Sequence, residues 1–440
     1  MTSEHNDNIL NEEVTSEPQT ESSEAADTGT QTELPHDDTD DYVFAHYRRR
    51  GKHHKKKSRH GYSCSDNQDV VRSNSENHFR YRKKFSLKDR KWKERPWWQK
   101  LLIILAWIFG VLISLLLIAV ITFFALRYAG IVKLTDYKNL DMTAPVIENA
   151  QVSVTDKGHT VTYNGKEYTF NEDMTSILCI GVDKYELGVD GGTGGQADAI
   201  YMIALDTVTG KTKVIAIPRD IVTDIGIYSP QGEYLRTEKQ QLCLAYAYGD
   251  GKKTSCMNTS TAVSRLFYQL PINSYYAVNV DAIPDLNDAV GGVTVTMIDD
   301  SFYDINLNRH YKGETLTLYG QDSIKYVRQR EVKFLSSSTD RLNRQVNYLK
   351  SFTSKAISMT KEDLTTPVTL YNIVANNSET NLTPSTITAF ATSVVTNGIS
   401  ELDFVTVPGE LISTGTYAEY VVDETGLYEL ILDTYYTPAN

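Results

Sequence analysis

The sequence predicts an α/β protein, an α-β-α layered sandwich around a central mixed sheet, preceded by one transmembrane helix and a disordered N-terminal tail. Three observations carry that expectation. The segment from Leu101 to Leu126 is apolar and uncharged, the residues ahead of it are polar and arranged in charge blocks, and from Thr160 onward strand-like and helix-like apolar patterns alternate. Alternation of the two periods is what helices covering both faces of a sheet produce.

The tail comes first. Met1 to Tyr47 carries many carboxylates and no Lys or Arg, and the stretch after it is the electrostatic opposite, with Arg48-Arg49-Arg50, Lys55-Lys56-Lys57 and Arg82-Lys83-Lys84. Low apolar content in charge blocks cannot bury enough surface to fold alone, so residues 1–96 are expected to be a disordered cytoplasmic tail, acidic and then basic. The basic part could also be a nucleic-acid patch, but its place against the span is explained by topology and by attraction to anionic lipid. A net charge of -12 over 440 residues does not describe a nucleic-acid binder.

The next element is the span, expected over residues 97–128. About twenty-six apolar residues reach roughly 39 Å as a helix, against a hydrocarbon core of about 30 Å, so the segment crosses once with some tilt. Trp97, Trp98 and Tyr128 stand at its ends as interfacial aromatics do. A cleaved signal peptide would have a shorter apolar core ending in a small-residue site, which this segment lacks. Basic residues crowd the upstream flank, with only Arg127, Lys133 and Lys138 just after it, which puts the N-terminus inside and the large C-terminal part outside.

After the span, residues 129–172 read as an extracellular linker with a small β-hairpin. Thr160 to Tyr163 and Glu167 to Phe170 flank Asn164-Gly165, a dipeptide suited to the two positive φ angles of a tight turn. Residues 173–437 read as the main domain. Ser176 to Val182 is an apolar strand, and Ile200 to Leu205 and Lys213 to Ile217 pair around Thr207-Val208-Thr209-Gly210. Helices are expected at Lys239 to Tyr248, Thr259 to Gln269 and Ile283 to Val290, with strands at Tyr275 to Val280 and Val293 to Met297. Cys64 falls in the tail and Cys179 in an apolar strand, while Cys243 and Cys256 could bridge outside the cell. No His/Cys cluster has zinc spacing.

Charged residues then collect at strand and helix ends. Asp183 ends the first apolar strand and Asp198 opens the next, after the loop Gly188 to Gly195; if the strands are neighbours, both carboxylates meet at one sheet edge. Paired oxygen ligands suit a hard cation such as Mg²⁺, and the alternative is that each aspartate caps a strand or turn. The glycine-rich loop lacks the Gly-Lys-Ser/Thr ending of a phosphate cradle and reads as a flexible loop. Arg219 follows Pro218 at the end of a buried strand, where a guanidinium needs a partner, either Asp220 or an external anion held bidentately. Gln321 to Val327 is a helix, and Arg328 and Arg330 share a face only if the backbone is extended beyond it. In the following helix Leu342, Val346 and Leu349 form the buried stripe, while Arg341 and Gln345, four apart, can reach one ligand together.

These residues fall in the order found in a known family. Leu178 to Asp183, Asp198 to Leu205, Ile217 to Asp220, Ala245-Tyr246-Ala247-Tyr248-Gly249, Ala289-Val290-Gly291-Gly292-Val293, Tyr326 to Arg330 and Asp340 to Gln345 together resemble the LytR-CpsA-Psr (cell envelope-related transcriptional attenuator) proteins, over roughly Ser176 to Leu432. The resemblance implies a membrane-anchored phosphotransferase. It would move a glycopolymer of teichoic acid or capsular polysaccharide type from an undecaprenyl pyrophosphate carrier to a peptidoglycan hydroxyl, forming a phosphodiester. By position Asp183 and Asp198 are similar to the family's Mg²⁺ carboxylates, and Arg219, Arg328, Arg330 and Arg341 to its pyrophosphate clamp, with Gln345 as a polar helper. Apolar residues of the sheet and its helices would hold the polyprenyl tail. One departure stands out. The family commonly has a lysine four residues before the Ala-Tyr-Ala-Tyr-Gly alanine, where this chain has Gln241, with Cys243 where a small polar residue is usual. Lys239, two residues away, is a candidate pyrophosphate ligand if the local start of structure is shifted.

Phosphoryl transfer needs charge neutralisation over two phosphates and an in-line hydroxyl, and leaves little covalent work for the protein. Asp198 and Asp220 are the candidate bases, the second already facing Arg219. The competing expectation is a binding module, a non-catalytic polyprenyl-pyrophosphate receptor or envelope-stress regulator. Nothing in the chain resembles a DNA-binding helix-turn-helix, and the arginines lie on the far side of the span from the tail.

Overall fold

The computed structural model describes residues 92–137, 140–148, 150–184, 194–229, 231–330, 336–363, 365–375, 378–397, 402–414 and 417–439. The expected tail, Cys64 and most of the glycine-rich loop lie outside the described residues.

Helix α1 (Trp97–Leu134) is unbroken and is long and apolar enough to cross a membrane. Pro96 precedes it, where the missing N–H removes no helical hydrogen bond. Its last two turns leave the apolar run and dock on the domain: Gly130 and Leu134 are buried, and the Leu134 carbonyl accepts a hydrogen bond from Thr175 Oγ1 at 3.0 Å. Three short strands follow, β1 (Val152–Thr155), β2 (Thr160–Tyr163) and β3 (Lys166–Phe170), paired antiparallel. Asn164 (φ 49°) and Gly165 (φ 77°) make the turn as their chemistry allows.

The central sheet begins with β4 (Met174–Val182), β5 (Ala197–Asp206) and β6 (Thr212–Ala216), an antiparallel succession. A separate hairpin, β7 (Val222–Tyr228) and β8 (Tyr234–Gln241), comes next, then α2 (Leu244–Ala247) and α3 (Lys253–Leu266). The helix expected from Lys239 to Tyr248 is thus a strand end and a single helical turn. Residues 234–241 are largely polar, and the ladder to the half-buried β7 overrides their local preference. β9 (Ser274–Asn279) runs parallel to β4, and after α4 (Ile283–Ala289) the strands β10 (Val293–Thr296) and β11 (Thr315–Leu318) form a side hairpin.

Helices α5 (Gln321–Arg328), α6 (Ser337–Glu362) and α7 (Thr366–Ala375) lead to β12 (Ser378–Thr380), α8 (Pro384–Asn397) and β13 (Leu402–Thr406). The chain finishes with the hairpin β14 (Gly409–Ser413) and β15 (Ala418–Val422), α9 (Glu424–Tyr435) and β16 (Tyr436–Pro438). The central sheet is mixed, in the order β12-β9-β4-β5-β6-β13, and β16 returns to pair with β3.

Alternation along the strands builds two apolar layers. Leu178, Ile180, Ile200, Met202, Ala204 and Ile215 pack on one side with Ala262 and Val263 of α3. Cys179, Ala199, Tyr201, Val214 and Ala216 face the other way, toward Leu342, Val346 and Leu349 of α6, which is the stripe expected from helical spacing. Between the sheet and α6, packing on this second side is incomplete and leaves room for a ligand. Cys243 and Cys256 are separate buried thiols, so the bridge considered from sequence is not formed. Each is held by its own element, Cys243 through its N–H to the Arg219 carbonyl and Cys256 within α3.

Candidate functional site

Antiparallel pairing of β4 with β5 makes the end of one strand neighbour the start of the other. The register joins Val182 to Ala197, and the Asp183 N–H donates to the Gln196 carbonyl at 3.1 Å, so Asp183 and Asp198 stand at the same sheet edge. β6 runs back toward that edge and ends at Ala216, which delivers Ile217-Pro218-Arg219-Asp220 beside them. From the opposite layer α6 brings Arg341 and Gln345 on one face, and α5 ends at Arg328, one residue later than expected, with Gln329 extended (φ -60°, ψ 135°).

The side chains converge. Asp198 is the shared partner of two guanidinium groups, an ion pair to Arg219 and one to Arg341 Nη1 at 3.2 Å. Arg219 also donates from Nη2 to Gln196 Oε1 at 2.9 Å and faces Asp220 Oδ1 from Nε at 3.5 Å. That Nε is buried and has no hydrogen-bond partner, so one shielded donor of the cluster is unused. Arg328 pairs with Asp183 in a more open position. Arg341 is buried, and its guanidinium is pushed down to about 10 by burial first and then by the positive charges of Arg219 and Arg330. A buried group crowded by its own kind favours any anion that enters.

Gln345 donates from Nε2 to the Val327 carbonyl at 3.2 Å, which fixes it at the same mouth. Asp220 is buried and receives Gln241 Nε2 at 3.3 Å, while Gln241 also donates to the Ala418 carbonyl at 2.8 Å. Gln241 therefore occupies the inner position next to Asp220 and Arg219, and Lys239 sits two residues earlier on β8, exposed and opposite Asp224. Arg330 is exposed and lines a polar cleft of about 210 Å³ with Arg309, Ser337, Asp340 and Arg344. It is close enough to Arg341 to act on its charge, whereas the ion pair to Asp183 is made by Arg328.

Two residues escaped the sequence reading. Asp281, in the turn after β9, is a third carboxylate at the same edge; burial holds it above the ordinary carboxylate range, with Arg328 pulling it down and Asp183 pushing it up. Its signal was available, an aspartate just after an apolar strand. Arg344 is 1% exposed and grips both oxygens of Asp299 at 3.1 Å, Ser301, and the carbonyls of Tyr326 and Gln329. Each of its three nitrogens donates internally, so it braces the arginine-bearing turn after α5.

Behind the charged mouth lies an apolar cleft of about 560 Å³, with Asp198, Arg328 and Gln345 at its rim. The sheet contributes Cys179, Ala199, Tyr201 and Val214 to its wall, and α6, α7 and α8 contribute Phe352, Val374 and Phe390. A long hydrocarbon with an anionic head would match both parts. For a hard cation, the donor set at the mouth is oxygen-only, Asp183 and Asp198, which fits Mg²⁺ completed by water and phosphate oxygens. Both carboxylates are engaged by arginines, so those guanidinium groups would turn from carboxylate to phosphate when metal and diphosphate arrive together. Among the described residues no group of three or more His, Cys, Asp or Glu is placed to hold a metal by itself.

Residues 135–432 match the LytR_cpsA_psr family. Among individual proteins, the chain is 26% identical over 215 residues to the polyisoprenyl-teichoic acid–peptidoglycan teichoic acid transferase TagU of Bacillus licheniformis, covering 48% of this chain and 61% of that protein. It is 27% identical over 219 residues to the transferase of the same name from Bacillus subtilis, covering 50% and 63%. The matches span less than two thirds of the length of these relatives. Of solved structures, Bacillus subtilis TagV aligns with a TM-score of 0.46 at 21% identity, covering 60% of this chain and 98% of that one.

Proposed function

Because the chain belongs to the LytR_cpsA_psr family, we propose that it is a membrane-anchored phosphotransferase that moves a glycopolymer from a polyprenyl pyrophosphate carrier to a hydroxyl of peptidoglycan. The relatives' names, teichoic acid transferases acting on peptidoglycan, support the polymer and acceptor classes. The observation that carries the reading is the joining of an arginine–carboxylate cluster to an apolar cleft of about 560 Å³. A diphosphate needs the first and its isoprenoid tail needs the second. With α1 spanning once and the basic flank inside, the domain faces outward, where both substrates are presented.

In the reaction, an acceptor hydroxyl oxygen bonds to the glycan-side phosphorus, the bond from that phosphorus to the bridging oxygen breaks, and lipid monophosphate leaves with the electron pair. Arg219, Arg341 and Arg328 neutralise the two phosphates, and the Nε–H of Arg219, which faces Asp220 without a hydrogen bond, is the donor that an equatorial oxygen would take. Mg²⁺ held between Asp183 and Asp198 would add positive charge as the leaving phosphate forms. The hydroxyl proton needs a carboxylate that is not locked in an ion pair. Asp198 is claimed by two arginines and Asp220 by Arg219 and Gln241, which leaves Asp281, whose raised affinity for a proton suits the role.

Full-length protein in detergent, given a polyprenyl pyrophosphate-linked saccharide, Mg²⁺ and a peptidoglycan fragment, should release lipid monophosphate and form the linked product. Tight binding of the carrier without release would replace the enzyme by a receptor.

A further inference from the structure

Helix α8 combines three properties. First, it is packed on the outer end of α1: Arg127 Nε donates to Thr392 Oγ1 at 3.2 Å, and Gly130 lies so close that a Cβ there would strike the Ser385 carbonyl and come within 2.7 Å of Ala389 Cβ. Second, its outward face is an uncharged stripe, Pro384, Ile387 and Ala391 at helical spacing, opposite the buried Thr386, Ala389 and Ser393. Third, Phe390 on the same helix lines the apolar cleft. The stretch around it is unusual for a chain that is 23% charged, since from Leu364 to Ser400 it has one charged residue, Glu379.

Height above the bilayer follows from helix geometry. Ile121 and Phe124 on α1 are 66% and 59% exposed, so lipid must cover α1 up to about Leu126. Arg127 and Gly130, the residues that hold α8, are one turn apart, about 4.5 Å of rise. The headgroup layer on one side of a membrane is roughly 5–7 Å deep. A helix touching both residues cannot stand clear of it.

We propose that α8 is an interfacial helix whose Pro384, Ile387 and Ala391 stripe rests on the lipid, and that the cleft lined by Phe390 communicates with the leaflet beside it. An isoprenoid tail then slides from bilayer to cleft without crossing water, while its diphosphate rises to the arginines at the opposite strand ends. The occupant of this face is the bilayer, because the face is continuous with the span itself. The carrier's route rests on the function proposed above; the lie of α8 on the membrane does not.

The test uses full-length protein with Cys64→Ser and Ile387→Cys, carrying a nitroxide, in a nanodisc of phosphatidylcholine and phosphatidylglycerol. Leu307→Cys, 76% exposed in the β10–β11 lobe, is the reference. At position 387 the label should collide more with oxygen than with a water-soluble nickel chelate, and at 307 the reverse. A label at 387 open to nickel as at 307 overturns the proposal, and so does one shielded from both reagents, which would mean a protein partner or a second copy. For the route, Ile387→Glu should lose about tenfold in transfer from a long carrier in the bilayer. It should keep parental rates with a ten-carbon, water-soluble donor. Equal loss with both donors overturns the route. Absence of lipid phosphate release from the parent protein would instead remove the proposed function, leaving the nitroxide result standing.

Discussion

Replacing Asp198 by Ala tests whether its two arginines form an anion site or a structural brace. In Asp198→Ala the side chains of Arg219 and Arg341, 14% and 6% exposed, face one another with their common counterion gone. Removing one partner of a buried ion pair costs about 3–5 kcal/mol, and access to water through the mouth places this case near 3 kcal/mol. For a domain of this size each kcal/mol moves the melting midpoint by about 2–4 °C, so a fall of roughly 6–12 °C is expected. If the arginines are built for a diphosphate, inorganic pyrophosphate can take the place of the lost carboxylate. At about 100 times its dissociation constant it returns roughly 2.7 kcal/mol, most of the loss. Thermal melts of the full chain in detergent, with and without pyrophosphate, should show a larger ligand-induced rise in the variant than in the parent. A variant that melts within about 2 °C of the parent, or whose rise is no larger, would refute the reasoning.

Four further outcomes are expected. With Asp281 as base, transfer should fall on the acid side as pH drops through the carboxyl's value; because burial raises that value, the limb lies at higher pH than for a free aspartate, and Asp281→Asn should lower the rate and remove the limb. A retained limb in that variant would assign it to another group. Thr353→Trp on α6 projects into the apolar cleft, so lipid that co-purifies with the parent, identified by mass spectrometry, should be lost while the melting midpoint changes little; undiminished lipid would argue against the cleft as the tail's seat. Arg344→Ala strips the Asp299 carboxylate and two carbonyls of their donors and should destabilise by about 3–5 kcal/mol. Arg328→Ala, at the half-exposed pair, should instead leave the melting midpoint near the parent's and abolish transfer, and parental activity would remove Arg328 from the mechanism.

Much of the layered fold could be read locally. The Asn164-Gly165 turn, the apolar strands at Ser176 and Ile200, and the Leu342, Val346 and Leu349 stripe each depend on short-range periodicity, and each lies where the pattern put it. What escaped depends on distant partners. Tyr234–Gln241 is a strand only because Val222–Tyr228 lies beside it, and β13 joins β6 in parallel across nearly two hundred residues of chain, roughly the separation at which no local pattern can speak. For the site, residue type marked out the arginines, since a guanidinium at the end of a buried strand needs an anion. Pairing did not follow from type: Arg328 and Arg330 share a sequence motif, yet one meets Asp183 and the other turns to a neighbouring polar cleft. Gln241 was noticed as a departure, and its contact with Asp220 depends on the hairpin that sequence missed.

The pairing of β16 with β3 has a consequence for biosynthesis. The hairpin that follows the span has its open edge covered by Tyr436–Pro438, and the Tyr436 hydroxyl donates to the Gly158 carbonyl at 2.8 Å. Synthesis proceeds from the N-terminus, so the strands that follow α1 emerge long before the strand that seals them. Until then β3 offers unpaired N–H and C=O groups to any passing extended peptide. A message truncated just short of Tyr436 would therefore yield a product with most of its core intact and a sticky rim, a target for proteases and for aggregation.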